Sequence, residues 1–263
     1  MKRFFSTTAL TGALLFFSAT LLRAEPLAGE TLPGTVTSGV WTQLGRKALP
    51  EHVSDAKPWA EGIPPQEGEA RLLFRKVEGS GFAVRGGLYS GGGQYTGPLK
   101  DQFMGGTVGP DDLAKLDPKD FSNLGTYEVS TEAPLPEVRN VVLSLRIIGV
   151  PQSPQYSPFE LIERTFPARL FYNEEKEPVF AVGRRKVSKK LSGGFPEEVF
   201  ALQWDLSKIK EPVRSFRVEW RVYPHASITG LRLDQSTEFA PLKPAPEAPA
   251  TAPAASAQAT PKE

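Results

Sequence analysis

Apolar and polar residues alternate along much of this chain, most clearly near its end. Phe200, Leu202, Trp204 and Leu206 interleave with Ala201, Gln203 and Asp205. Phe216, Val218, Trp220 and Val222 interleave with Arg217, Glu219 and Arg221, and Ile228, Leu231 and Leu233 follow. Successive side chains of a strand point to opposite sides, so an apolar residue at every second position buries one face and wets the other. Trp204 and Trp220 both fall on the buried side, where their bulk suits a core between two sheets.

The same period recurs upstream. Val36 to Leu44 reads as a short strand carrying Val40, Trp41 and Leu44. Ala70 to Val77 and Phe82 to Tyr89, joined over Gly79-Ser80-Gly81, read as a hairpin. Gly125 to Thr131 is a strand, and Val138 to Val150 is apolar on both faces, as a central strand is. Phe159 to Tyr172 reads as one or two strands broken at Pro167, with Val179 to Val182 pairing back as a second hairpin. Pro110 to Phe121 is the one helix signal: Asp111 and Asp112 suit its start, and Pro118 limits it to about two turns. The expected fold is all-β: a jelly-roll-like antiparallel β-sandwich of about ten strands with one short helix.

The two ends differ from this body. Lys2 and Arg3, the apolar run from Ala9 to Leu22 and the small residue Ala24 compose a secretory signal, expected to be cleaved near Ala24. Residues 25–35 read as a flexible segment, 36–239 as the sandwich domain, and 240–263, rich in proline and alanine, as a disordered tail. The run before Ala24 is short and interrupted for a transmembrane anchor, and nothing later is apolar enough to span a bilayer. Export to the periplasm or beyond a bacterial cell is the expected localisation.

Composition removes several chemistries. There is no cysteine among the 263 residues, hence no disulfide, thiolate nucleophile or cysteine metal site. The net charge of +1 becomes slightly negative once residues 1–24 are gone, which offers no general attraction to nucleic acid. The glycines Gly91 to Gly93 lack the Gly-Lys-Ser/Thr of a phosphate loop, so they read as chain bends. Asp111, Asp112, Asp117 and Asp120 lack the spacing of a calcium loop. Only His52 and His225 are available as histidine bases, with no nucleophile motif beside either. No metal, cofactor or catalytic residue is assigned.

Two features remain as binding candidates. Flat rings outside the strand cores suit stacking on sugars, and Trp41, Trp59, Tyr95 and Tyr156 are the candidates, with Tyr89 and Tyr223 beside them. Arg184, Arg185, Lys186, Lys189 and Lys190 place five positive charges in seven residues. They suit an acidic partner, or they guard an exposed strand edge against aggregation; the acids Glu174, Glu175, Glu177, Glu197 and Glu198 around them favour the guard.

The sequences Leu202-Gln-Trp-Asp-Leu-Ser, Phe216-Arg-Val-Glu-Trp and Ile228-Thr-Gly-Leu-Arg-Leu-Asp-Gln-Ser resemble the terminal strands of exported bacterial jelly-roll sandwiches, among them galactose-binding and other carbohydrate-binding modules. The resemblance covers some 40 residues and contains no functional motif. It implies fold, with sugar binding as the associated expectation. The reading that follows is a non-catalytic exported binding or surface-interaction module, with a glycan or an envelope component as partner. The alternatives are a glycan hydrolase working through paired carboxylates and a purely structural envelope protein.

Overall fold

The computed structural model describes residues 27–42, 44–45, 49–50, 58–79, 81–84, 87–149, 157–192 and 195–243. His52, Tyr156, the expected signal at 1–24 and the tail from 244 onward lie outside the described residues. No helix among those described is long and apolar enough to cross a membrane.

Among the described residues, thirteen strands form two antiparallel sheets. In chain order they are β1 (Val36–Trp41), β2 (Glu67–Gly68), β3 (Leu73–Glu78), β4 (Phe82–Val84), β5 (Gly87–Tyr89), β6 (Gly125–Thr131), β7 (Asn140–Ile148), β8 (Arg169–Tyr172), β9 (Val179–Phe180), β10 (Gly183–Ser192), β11 (Phe195–Asp205), β12 (Phe216–Val222) and β13 (Ser227–Ser236). The eight-stranded sheet runs β10-β11-β7-β13-β1-β2, with β5 also on β13 and β4 on β5; the five-stranded sheet runs β3-β6-β12-β8-β9. The all-β sandwich expected from the period-two runs is the fold.

The two tryptophans of the terminal strands meet the core as their spacing requires. Trp204 and Trp220 are both buried, one on each sheet. Phe74 of β3, Trp220 and Tyr127 form a triangle of rings, with centroids 5.9, 6.0 and 6.1 Å apart. From the opposite sheet Trp41 meets Phe74 edge-on at 6.3 Å. Trp204 bridges the layers differently, its indole N–H donating to the Val179 carbonyl of β9.

Several elements differ from expectation. Phe82 to Tyr89 does not pair with β3; it folds on itself as β4 and β5 and joins the other sheet. Gly79 ends β3 with φ of +86°, and a β-carbon there would run into the Leu124 carbonyl and Gly125, so only glycine fits where the chain leaves this sheet. Among the described residues three helices stand where one was expected: α1 (Lys100–Met104), α2 (Pro110–Leu113) and α3 (Pro158–Arg164), with a 3₁₀ turn at Pro118–Asp120. The third occupies the stretch read as strand. Ser157 and Glu160 form a reciprocal capping box at its start, and Leu161 and Ile162 are buried. The hairpin of β8 with β9 forms as expected.

The described segments that flank the sandwich pack onto it. Leu27 is buried against Gly230, and Glu30 accepts from Arg185. At the other end, the Ala240 carbonyl and the Leu242 amide close both sides of the Gln203 side-chain amide at 2.8 and 3.0 Å. Residues 27–35 and 240–243 therefore belong to the packed domain. Beneath them the outer face of the eight-stranded sheet is polar yet buried. Asp234 accepts from Ser38 and Arg232, and Asn140 links Gln203 to Ser236. Buried polar groups persist when they find partners, and for Asp234, Asn140 and Gln203 the neighbouring strands and the segment after β13 supply them.

Candidate functional site

The outer face of the five-stranded sheet carries a set of charged side chains that are partly accessible. Its register sets them in rows. Phe180 stands opposite Arg169, Arg169 opposite Glu219, Glu219 opposite Glu128, and Glu128 opposite Arg75, a single line across all five strands. On one side lies a row of Phe171, Arg217, Ser130 and Leu73; on the other Arg221 and Thr126 face Glu78.

The charged residues come from the polar half of alternating strands, so the burial of Trp220, Tyr127 and Phe74 on the inside is what turns Glu219, Arg221, Glu128 and Arg75 outward. Arg169 donates to Glu219. Arg75 donates to Ser130 at 2.7 Å and to Glu128 at 3.4 Å. The Arg217 guanidinium lies 4.1 Å above the Phe171 ring, a cation–π contact that shields that ring from solvent. Phe180 is different: it is 52% exposed, an open aromatic surface beside Arg169.

Three hollows lie along the face. One of about 180 Å³ lies by Arg75, Glu128 and Arg217. Another, of about 200 Å³, is bounded by Arg169, Phe180, Trp220 and Arg221. The largest, about 740 Å³, runs from Arg221 and Thr126 toward Lys119 and Asn123. Carbohydrates bind to such surfaces through many hydrogen bonds and a stacked ring, and guanidiniums with adjacent carboxylates supply both donors and acceptors.

The residues singled out from sequence take other places. Trp41 is wholly buried and donates to the Ile63 carbonyl at 2.9 Å. Trp59 packs edge-on against Phe74, beneath Lys76, and Tyr95 is enclosed by Phe103 and Phe121. A ring without an exposed face cannot stack on a sugar, so these three are core residues and not binding platforms. Tyr223 is buried as well.

The basic cluster lies on β10, the edge strand of the eight-stranded sheet. Its five cations pair with four carboxylates: Arg184 with Glu163, Arg185 with Glu30, Lys186 and Lys189 with Glu198, and Lys190 with Glu197. The three lysine pairs, at 3.1 to 3.8 Å, leave the edge largely but not fully balanced, and lysine on an exposed edge opposes pairing with another sheet.

His225 is half-buried and structural. Its Nδ1 is 2.9 Å from the Tyr89 hydroxyl, its Nε2 is 2.9 Å from the Gly93 carbonyl, and its amide donates to Gly91, so it braces the glycine turn. Of the four aspartates near the helix signal, Asp112 pairs with Lys115 and Asp117 caps the 3₁₀ turn through the Lys119 amide. Among the described residues no group of three histidine, aspartate or glutamate side chains could hold a metal ion.

No family model, no curated protein and no solved structure matches this chain.

Proposed function

We propose that this chain is an exported, non-catalytic module that holds an oligosaccharide on the outward face of its five-stranded sheet. The observation that carries the reading is the row from Phe180 to Arg75. It joins an exposed ring to two guanidiniums and two carboxylates in one line across the sheet, while part of the opposite face is covered by the segments that flank the sandwich. A sugar chain lying along that line stacks one ring on Phe180 and exchanges hydroxyl hydrogen bonds with the charged groups beyond it.

A second reading draws on one feature of the same row. Glu128 and Glu219 are direct cross-strand neighbours, and two adjacent carboxylates are what a glycosidase uses as acid and nucleophile. Each is already engaged by an arginine, an arrangement of hydrogen-bonding anchors better than of a proton donor.

The test is a glycan array probed with the domain beginning at Glu25, beside F180A and E219Q. Binding that F180A abolishes, with no cleavage of the bound glycan, supports the module. Cleavage that disappears in E219Q turns the assignment to hydrolase. No binding to any glycan ends both. Recovery from the medium or periplasm of a chain starting near Glu25 tests export.

A further inference from the structure

The β10–β11 hairpin runs past the strand beside it. Glu197 is where the register of β11 with β7 ends, opposite Ile148, and beyond it the Gly149 amide donates to the Pro196 carbonyl. The two hairpin strands go on pairing with each other, Leu191 opposite Pro196 and Ser192 opposite Phe195. At this overhanging end the apolar side chains stand in solvent. Leu191 is 74% exposed, more than any other large apolar residue among those described, and Phe195 is 39% exposed. Strand alternation puts them on opposite faces of the hairpin, and each has a lysine behind it on its own face: Lys189 behind Leu191, and Lys190 behind Phe195.

The charge at this end is layered. The Lys189 and Lys190 side chains are each 60% exposed and that of Lys186, further back, is 34% exposed, whereas the carboxylates they meet, Glu198 and Glu197, are at 0% and 8%. Three cations therefore lie over two carboxylates, with the positive charge outermost. Single exposed apolar residues are ordinary on a protein surface, but here two share one end, with cations set behind both. A rigid protein patch takes up one face of such a convex end. A fluid bilayer closes around both, and lysines behind the apolar residues keep their ammoniums among the headgroups while their stems follow the apolar side chains inward.

We propose that this hairpin end attaches the domain to the surface of an anionic bilayer. Leu191 and Phe195 enter the boundary between headgroups and acyl chains, and Lys189 and Lys190 rest on lipid phosphates. Two side chains bury too little for permanent anchoring, so the attachment is reversible. It stands independently of the glycan reading, since no residue of the five-stranded sheet takes part.

The experiment uses the chain beginning at Glu25 and vesicles of phosphatidylcholine, alone or mixed with an equal part of phosphatidylglycerol. The sequence has no cysteine, so L191C and K208C each accept one polarity-sensitive dye at a single place. Lys208 is exposed just past the other end of β11, about 30 Å of strand away. Attachment predicts co-sedimentation with the mixed vesicles and a blue shift of the dye at position 191 but not at 208. The affinity should fall roughly tenfold or more in the K189Q/K190Q double variant, and binding should be lost in L191S/F195S, whose substituted side chains are exposed. No co-sedimentation overturns the proposal, as does equal binding to phosphatidylcholine alone, which leaves the lysines without a role. Co-sedimentation with an unshifted dye at 191, or undiminished in L191S/F195S, also overturns it and assigns the lysines to an acidic protein or polymer instead.

Discussion

Glu219 and Glu128 stand directly opposite one another on β12 and β6, and each is met by an arginine of the strand beyond, Arg169 and Arg75. Like charges facing across a ladder destabilise it, so the arginines hold this pair together as much as the carboxylates hold the arginines. R169Q is therefore expected to cost about 1 kcal/mol or somewhat more, because it leaves both carboxylates facing with only Arg75 to offset them. E219Q should change stability by less, since the lost ion pair is compensated by the relieved repulsion. The double variant should recover part of the R169Q loss. Urea titrations of the four proteins measure the cycle, and an E219Q loss equal to or above that of R169Q contradicts it.

Phe74 gathers the core. Four aromatic residues touch it, with ring centroids between 5.7 and 6.3 Å: Trp59, Trp220, Tyr127 and Trp41. Because Trp41 belongs to the opposite sheet, F74A opens a void between the layers as well as within one of them. The expected loss is about 3–5 kcal/mol, at the upper end for a single core truncation. F74L, which keeps most of the volume, should lose markedly less. Denaturation midpoints decide, and near-equal losses would mean that the aromatic contacts contribute little beyond filled space.

The parts of the fold that could be read from sequence are those decided within one strand. Alternation in β12 fixes which side Val218 and Trp220 take, whatever the strand pairs with, and both are buried. The third helix was equally legible, through Ser157 and Glu160, but Phe159, Leu161 and Ile162 followed by Phe166 also satisfy an apolar strand run, and the cap decides between them. The candidate site was not legible. Its row draws on positions 75, 128, 169, 180 and 219, and only strand order and register bring them into line. Trp41, Trp59 and Tyr95 show the converse: residue type suggests a sugar platform, but exposure decides, and exposure is set by packing from distant strands.

Acid should remove a small, assignable part of the stability. Glu69 accepts from the Arg71 guanidinium at 2.8 and 2.7 Å and from the Arg71 amide at 3.1 Å, which lowers its carboxyl from 4.5 to about 2. The folded value lies below the unfolded one, so the contribution is complete above about pH 4.5 and disappears as the pH falls toward 2. Arg71 is more than half exposed and solvent screens the pair, which limits the effect to about 1 kcal/mol or less. E69Q should be less stable than wild type by that amount at pH 7, and the two curves should converge near pH 2. Parallel curves through this window would refute the assignment.

The ends of the domain offer the sharpest division between packed and dispensable chain. Gln203 is wholly buried on the outer face of β11, with its amide held between the Asn140 side chain, the Ala240 carbonyl and the Leu242 amide. The Lys243 carbonyl takes a further hydrogen bond from Arg185, whose other partner is Glu30. A chain ending at residue 239 removes these acceptors and the amide donor together, and leaves the Gln203 amide partly unpaired where water has to enter to satisfy it. That costs about 1–3 kcal/mol for the buried amide alone, with the loss of cover over the sheet in addition. A chain ending at residue 243 keeps every one of these contacts and should match the full-length protein in its thermal midpoint. Q203L in the 239 chain provides the control: with the polar group gone there is less to leave unpaired, so part of the lost stability should return. If shortening to 239 proves as harmless as shortening to 243, residues 240–243 do not stabilise this face and Gln203 finds its partners in water instead.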